Sequence, residues 1–316
     1  MSKIQRRALR HAWACCALLL LSLAGCRRDA PDPSVPAPEP VAAVQAMAAA
    51  MAANDLVAYA RLSVPPSQYD RLEQAWSQGH SRWPLTELPL HDQWLPMLQA
   101  LSVPDASQQL QRSFDRQLAG QTAAVRQAAQ SMGLFGMQYL RHQDIYTASQ
   151  QAHYLQVVET LAAWAAEAPL SDRARARASI AALTSAARAT GITGDEQLQQ
   201  SGMEASLRQL GPFIGTLKAV LASYGLDLDS SMRGVAGELL SRQGDNALVR
   251  LQYPLAGRDI TLQIPLTRRE GHWYLTRTLA DTDALLRHAD AARAAAAAAA
   301  TPAADAGEDA GPPPAP

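Results

Sequence analysis

The sequence predicts a mostly α-helical protein of the α+β class, with a small three-stranded antiparallel meander near its C-terminus. Three observations carry this. Alanine, the strongest helix former, supplies 63 of the 316 residues. Apolar residues recur at spacings of three and four through most of the span 41–224. Between 247 and 277 the apolar period changes to two, with glycine-containing turns between the runs. The length suits one large domain or two small ones, with 191–202 as the place where two subdomains would meet.

The first element is an address. Lys3, Arg6, Arg7 and Arg10 precede an apolar run over 12–24 that ends in Gly25-Cys26. A cationic start and a short apolar stretch make a secretory signal. At about 13 residues the run falls short of the ~20 that a spanning helix needs, which leaves an uncleaved anchor as the lesser alternative. The tetrapeptide Leu23-Ala24-Gly25-Cys26 resembles the lipobox of bacterial lipoproteins. That resemblance implies that 1–25 is a signal peptide removed by the lipoprotein signal peptidase and that Cys26 is the lipidation site, bearing acyl chains such as palmitate. Arg27 stands where an aspartate would hold an enteric lipoprotein in the inner membrane, so the resemblance implies the outer membrane, facing the periplasm. Cys15 and Cys16 fall in the removed part, which leaves no free thiol and no disulfide in the mature chain. Residues 26–40 carry Pro31, Pro33, Pro36, Pro38 and Pro40 and read as an extended tether.

The body, 41–293, follows as a series of helices. Pro40 suits a first helical turn before 41–53, and Asn54-Asp55 breaks and caps the chain ahead of 56–62. Pro65-Pro66-Ser67 opens a helix bearing Tyr69, Leu72 and Trp76; 79–92 reads as a loop. Asp92 caps a short helix with Trp94, Leu95 and Leu98, Asp105 caps the next, and 121–141 forms another. In 145–168, Tyr154, Val157, Val158, Leu161, Trp164 and Ala168 form one stripe, which predicts a core position for Trp164 and solvent for Gln156 and Glu167. Ser171 is the expected cap of 172–190. The 203–224 helix is expected to kink or split at Gly211-Pro212 and to end at Gly225, with a further short helix over 230–243.

The strands come last. Val249, Leu251, Tyr253 and Leu255, then Ile260, Leu262, Ile264 and Leu266, alternate with polar residues around Ala256-Gly257. Glu270-Gly271 makes a second turn before a third strand at 272–277. The pattern from Ala247-Leu248-Val249 to His272-Trp273-Tyr274 is similar to the sheet of NTF2-like periplasmic proteins, and the arrangement as a whole is similar to uncharacterised lipoproteins of gammaproteobacteria, which brings no activity with it. After a helix over 279–293, the alanine run and the proline-rich end make 294–316 a tail that cannot build a core.

The chemistry-bearing residues form no established constellation. The 28 Lys+Arg balance 29 Asp+Glu, and removing the four basic residues of the signal leaves 24 against 29, a net charge of −5. That argues against nucleic acid as a partner. The histidines, among them His142 and His153, lack helical metal spacing, and no nucleophile elbow, P-loop or dinucleotide fingerprint occurs, so no catalytic, cofactor-binding or metal residue is assigned. Lys218 is the single lysine of the mature chain and reads as a snorkelling side chain beside an apolar stripe. Asp227, Asp229, Ser231 and Glu238 sit at calcium-loop positions, but Met232 occupies the glycine position, and helix capping explains the aspartates equally well. Arg173, Arg175 and Arg177 read as a solvated surface.

Two function classes follow. One is a non-enzymatic envelope lipoprotein that binds a protein partner or an apolar ligand between its helices, with the membrane engaged through the lipid. The other is an envelope hydrolase with an unrecognised active site. Metabolic labelling with a fatty-acid analogue tests the address: the parent should be marked, and Cys26→Ser should lose both the label and the membrane fraction.

Overall fold

Proline, aspartate and threonine mark many of the helix starts. The computed structural model describes residues 39–88 and 91–300. The segments expected to be signal, lipobox with Cys26 and tether, up to residue 38, and the expected tail from 301 onward lie outside the described residues; 294–300 of that tail are helical instead. Helices α1 (Pro40–Ala52) and α3 (Pro66–Ser77) both open on proline, whose fixed φ suits a first turn. Between them, the Asp55 carboxylate accepts the Ala58 N–H at 2.9 Å and starts α2 (Leu56–Ser63). A 3-10 turn (Leu85–Glu87) precedes α4 (His91–Ser102) and α5 (Ala106–Gln117). Helices α6 (Thr122–Arg141) and α7 (Ala148–Glu167) form a hairpin, and reciprocal bonds between Thr147 and Gln150 make a capping box at the start of α7. Then come α8 (Arg173–Ala189), α9 (Asp195–Ser201), α10 (Met203–Ser223) and α11 (Leu228–Arg233), and a final helix, α12 (Thr276–Ala300), follows the sheet.

Several helix details differ from the sequence reading. Asp92 lies inside the first turn of α4, and Asp105, at the start of α5, makes no side-chain cap bond. Asp172, not Ser171, caps α8: its carboxylate accepts the Arg175 N–H at 2.8 Å, while Ser171 Oγ lies 2.8 Å from Thr122 Oγ1. Helix α10 runs unbroken through Gly211-Pro212. Leu207, Leu210, Phe213 and Ile214 are all buried on both sides of the proline, and that burial outweighs the ~3 kcal/mol an internal proline costs. Gly211 lets α10 lie against the link between α1 and α2, since a Cβ there would come within 2.6 Å of the Asn54 carbonyl oxygen.

The sheet has four strands, not three. β1 (Ala236–Gln243), β2 (Asn246–Leu255), β3 (Arg258–Arg269) and β4 (His272–Leu275) form an antiparallel meander in sequence order. The helix expected over 230–243 therefore stops at Arg233. β1 is exposed along nearly its whole length, so no buried alternation marks it; it is a strand because β2 supplies its hydrogen-bond partners across the tight Gly244-Asp245 turn. The other two turns fall where expected. Ala256 and Glu270 hold positive φ (46° and 52°) ahead of Gly257 and Gly271, as a type I′ turn demands at both central residues.

Three apolar clusters hold these elements together. The largest joins α2, α3, α4, α9, α10 and α12 around Trp76, Trp83 and Phe213. Ile192 and Leu198 are buried within it, so 191–202 is packed into the main core and is not a subdomain boundary. A second places Val44 and Met47 of α1 on Val249, Leu251, Leu266 and Trp273 of the sheet. In the third, Leu226, Leu255 and Ile260 meet Val157, Leu161 and Trp164 of α7. Trp164 is thus half-buried at the rim of a small cluster and not in the main core, with its indole N–H donated to the Tyr224 carbonyl at 2.9 Å. Gln156 is not idle in solvent either. β4 pairs only with Leu266–Arg269, and Gln156 Oε1 accepts the Thr261 N–H (3.1 Å) on the edge of β3 that β4 leaves open.

Lys218 does not snorkel. It is buried to 4% exposure, and its ammonium donates to the carbonyls of Met51 (2.6 Å) and Ala52 (3.2 Å) and ion-pairs with Asp229. Three oxygens match the three N–H donors of the ammonium. Two of them are terminal carbonyls of α1, where a helix leaves acceptors unsatisfied and carries negative partial charge. Lys218→Met takes the ammonium from all three, leaving Met51 only its bond from the Asn54 N–H, and should cost about 2–4 kcal/mol by urea unfolding, the lower end reflecting that bond and partial solvent access to Asp229. Asp229→Asn keeps an acceptor but leaves the buried ammonium without its counter-charge, and should cost less than Lys218→Met in the same measurement.

Candidate binding cavity

The side chains that α2, α4, α9 and α10 turn toward one another do not fill the space between them. A cavity of about 230 Å³ remains, walled by Leu56, Leu95, Leu98, Leu198, Leu210 and Ile214. Trp94 forms part of the wall and meets the buried Phe213 edge-on, ring centroids 6.2 Å apart. An engineered apolar cavity of ~150 Å³ stays dry and admits benzene, whereas drug-sized sites run from ~300 Å³ upward. The space therefore suits one ring or a short acyl segment.

The polar groups at its rim are largely occupied. Arg82 pairs bidentately with Asp195 through two 2.7 Å bonds, donates to the carbonyls of Ser81 (2.6 Å) and Trp76 (3.3 Å), and lies 5.2 Å from the Trp76 ring. The pair joins the α3–α4 loop to the start of α9 and closes one side of the cavity. His91 Nε2 is 3.1 Å from its neighbour Asp92, and Thr86 is exposed at the rim.

The 3-10 turn that carries Leu85 and Thr86 into this wall is held from behind. Glu87 accepts the Trp83 indole N–H at 2.9 Å and is also bonded by the hydroxyls of Tyr59 and Thr278. Burial raises the Glu87 carboxyl above its ordinary range, with the charge of Asp281 adding to it against the opposing hydrogen bonds. The Tyr59 hydroxyl is pushed up to about 12, by burial first and then by Glu87.

The residues singled out by sequence are dispersed. His142 Nδ1 faces the Gln138 carbonyl (2.8 Å) and His153 Nδ1 the Thr261 carbonyl (3.2 Å), and burial lowers the His153 ring below its usual range. Neither contact is the imidazole–hydroxyl pair that a serine hydrolase needs. The calcium-loop reading fails on geometry: Asp227 caps α11, Asp229 pairs with Lys218, and Glu238 bridges to Arg250 on the neighbouring strand at 2.8 Å. Among the described residues no group of three or more His, Cys, Asp or Glu is arranged to hold a metal ion. Arg173 pairs with Asp115 at 2.9 Å, and Arg175 caps the Ser223 carbonyl. Sequence reasoning did mark Trp94, Leu95 and Leu98 as one apolar face, but it had no signal for Ile192, Leu210 and Ile214 converging on them, nor for Arg82 and Asp195, 113 residues apart. No family model, curated protein or solved structure matches the chain.

The raised Glu87 carboxyl gives a signed pH dependence. The folded chain holds this proton more tightly than the unfolded one, so the contribution is present at low pH and is lost as pH rises through the folded-state value. Glu87→Gln keeps an acceptor for Trp83 and removes the titration. Its urea midpoint should gain on the parent's as pH rises above about 4.5, the ordinary carboxyl value, and a constant difference would show that Glu87 does not titrate there.

Proposed function

We propose that this chain is an outer-membrane lipoprotein, anchored through Cys26 and facing the periplasm, whose body binds a small apolar ligand without transforming it. The observation that carries the binding reading is the aliphatic cavity beside Trp94, with its strongest polar device, the Arg82–Asp195 pair, already satisfied internally. Such a site selects by shape and apolar area and offers few groups for chemistry. The anchoring half rests on the cationic start, the short apolar run and the lipobox Leu23-Ala24-Gly25-Cys26. No helix among the described residues is long and apolar enough to cross a membrane, which leaves the lipid as the anchor this reading requires. The likeness of the meander to NTF2-like proteins enters only as an expectation of fold.

A homologous series of n-alcohols from hexanol to dodecanol, followed by tryptophan fluorescence, tests the cavity. Affinity should rise up to about fourfold per methylene while carbon is being buried, then level off when about 230 Å³ is filled. Leu95→Trp should occupy the space and abolish the plateau-limited binding. Affinity that climbs without limit, or that ignores Leu95→Trp, would mean non-specific surface adsorption and overturn the reading.

A further inference from the structure

Among the described residues, helix α6 has one substantial neighbour, α7. Their seam is close: Gly133 is buried against Ala162, whose Cβ would lie 2.4 Å from any Cβ at that glycine, and Gly136 sits over Val158. The outward side of the helix mixes exposed polar residues (Arg126, Gln127, Gln130, Ser131, Gln138 and Arg141) with large apolar ones. Met132, Leu134, Phe135 and Tyr139 are 74%, 67%, 73% and 55% exposed, and Ile145 in the following turn is 77% exposed. Side chains of this size rarely gather on the free surface of a monomer without a role.

Charge and chain length indicate what covers them. Helix α6 itself holds two arginines, Arg126 and Arg141, and no carboxylate, in a protein whose acids otherwise outnumber its bases once the signal is removed. A helix with large apolar side chains, arginines and no acid of its own has the composition of an interfacial helix, which lies in the headgroup region of an anionic bilayer. The segment from Cys26 to α1 can reach no more than about 50 Å, so the anchor would keep the body near that surface at high effective concentration.

We propose that the exposed face of α6, with Ile145, docks on the anionic phospholipid surface in which the anchor sits. This rests on the anchored reading for its source of membrane but not for its affinity, and the two are separable by experiment. Residues 26–316 carrying Cys26→Ser, and therefore without lipid, would be sedimented with phosphatidylethanolamine vesicles containing one quarter phosphatidylglycerol, and with phosphatidylcholine vesicles. The expected result is binding to the anionic vesicles that weakens with salt and exceeds binding to phosphatidylcholine. Met132→Ser/Phe135→Ser should lower the partition coefficient more than tenfold, and Arg141→Gln about fivefold. All three positions are exposed, so thermal melts of the variants should match the parent's. Equal sedimentation of parent and Met132→Ser/Phe135→Ser overturns the proposal, as does no sedimentation of the parent. A parent that sediments as a dimer, and a double variant that is monomeric, overturns it in favour of a second copy. Because the chain under test has no lipid, loss of labelling at Cys26 would refute the anchor alone.

Discussion

The buried ammonium of Lys218 is the constraint on which the arrangement of the two halves depends. Helix α1 lies on the sheet, whereas α10 runs through the helical core, and Lys218 of α10 holds the last carbonyls of α1. Its third partner, Asp229, belongs to α11, the element that delivers the chain into β1. A charge taken out of water is tolerated only when its donors are matched, and here they are matched by oxygens from two different elements. On the surface, Arg188 of α8 reaches the Val103 carbonyl at 3.0 Å, just past the end of α4, as a second donor beside the Ala106 N–H.

With that frame in place, the cavity follows from shape. Its walls come from four helices, the α8–α9 link and one 3-10 turn, each also packed elsewhere, so no wall can close inward without losing contacts on its other side. Glu87 keeps the turn in place, and Arg82 with Asp195 keeps the α9 side in place. Rigidity of this sort preserves an apolar void that a looser core would collapse.

The hairpin of α6 and α7 serves two surfaces in opposite ways. α7 covers the unpaired edge of β3 with Gln156 and His153 and ties Arg258 to Glu159 at 2.8 Å, which protects backbone groups that invite pairing with another chain. α6, held by glycines against α7, leaves its large apolar side chains outside. Composition alone separates the two: α6 carries no acid, whereas α7 carries polar side chains on the face that meets the strand.

Sequence by itself determined most of the helices, the proline starts at 40 and 66, the aspartate start at 55, two of the three strand turns and the change of period at the sheet. Each of these is set by a few neighbouring residues: a proline that fits a first turn at residue 40, a carboxylate that caps at Asp55, a turn pair at Ala256-Gly257. Tertiary structure alone decided the rest. β1 is a strand because β2 pairs with it, α10 stays whole because burial outweighs its proline, and Lys218 is buried because oxygens from two other elements meet it. The cavity belongs to the same class, since Leu56, Leu98, Ile192 and Leu210 are each ordinary core residues in their own segments. Their meeting depends on contacts between residues tens to more than a hundred positions apart, and local propensity carries no information about such separations.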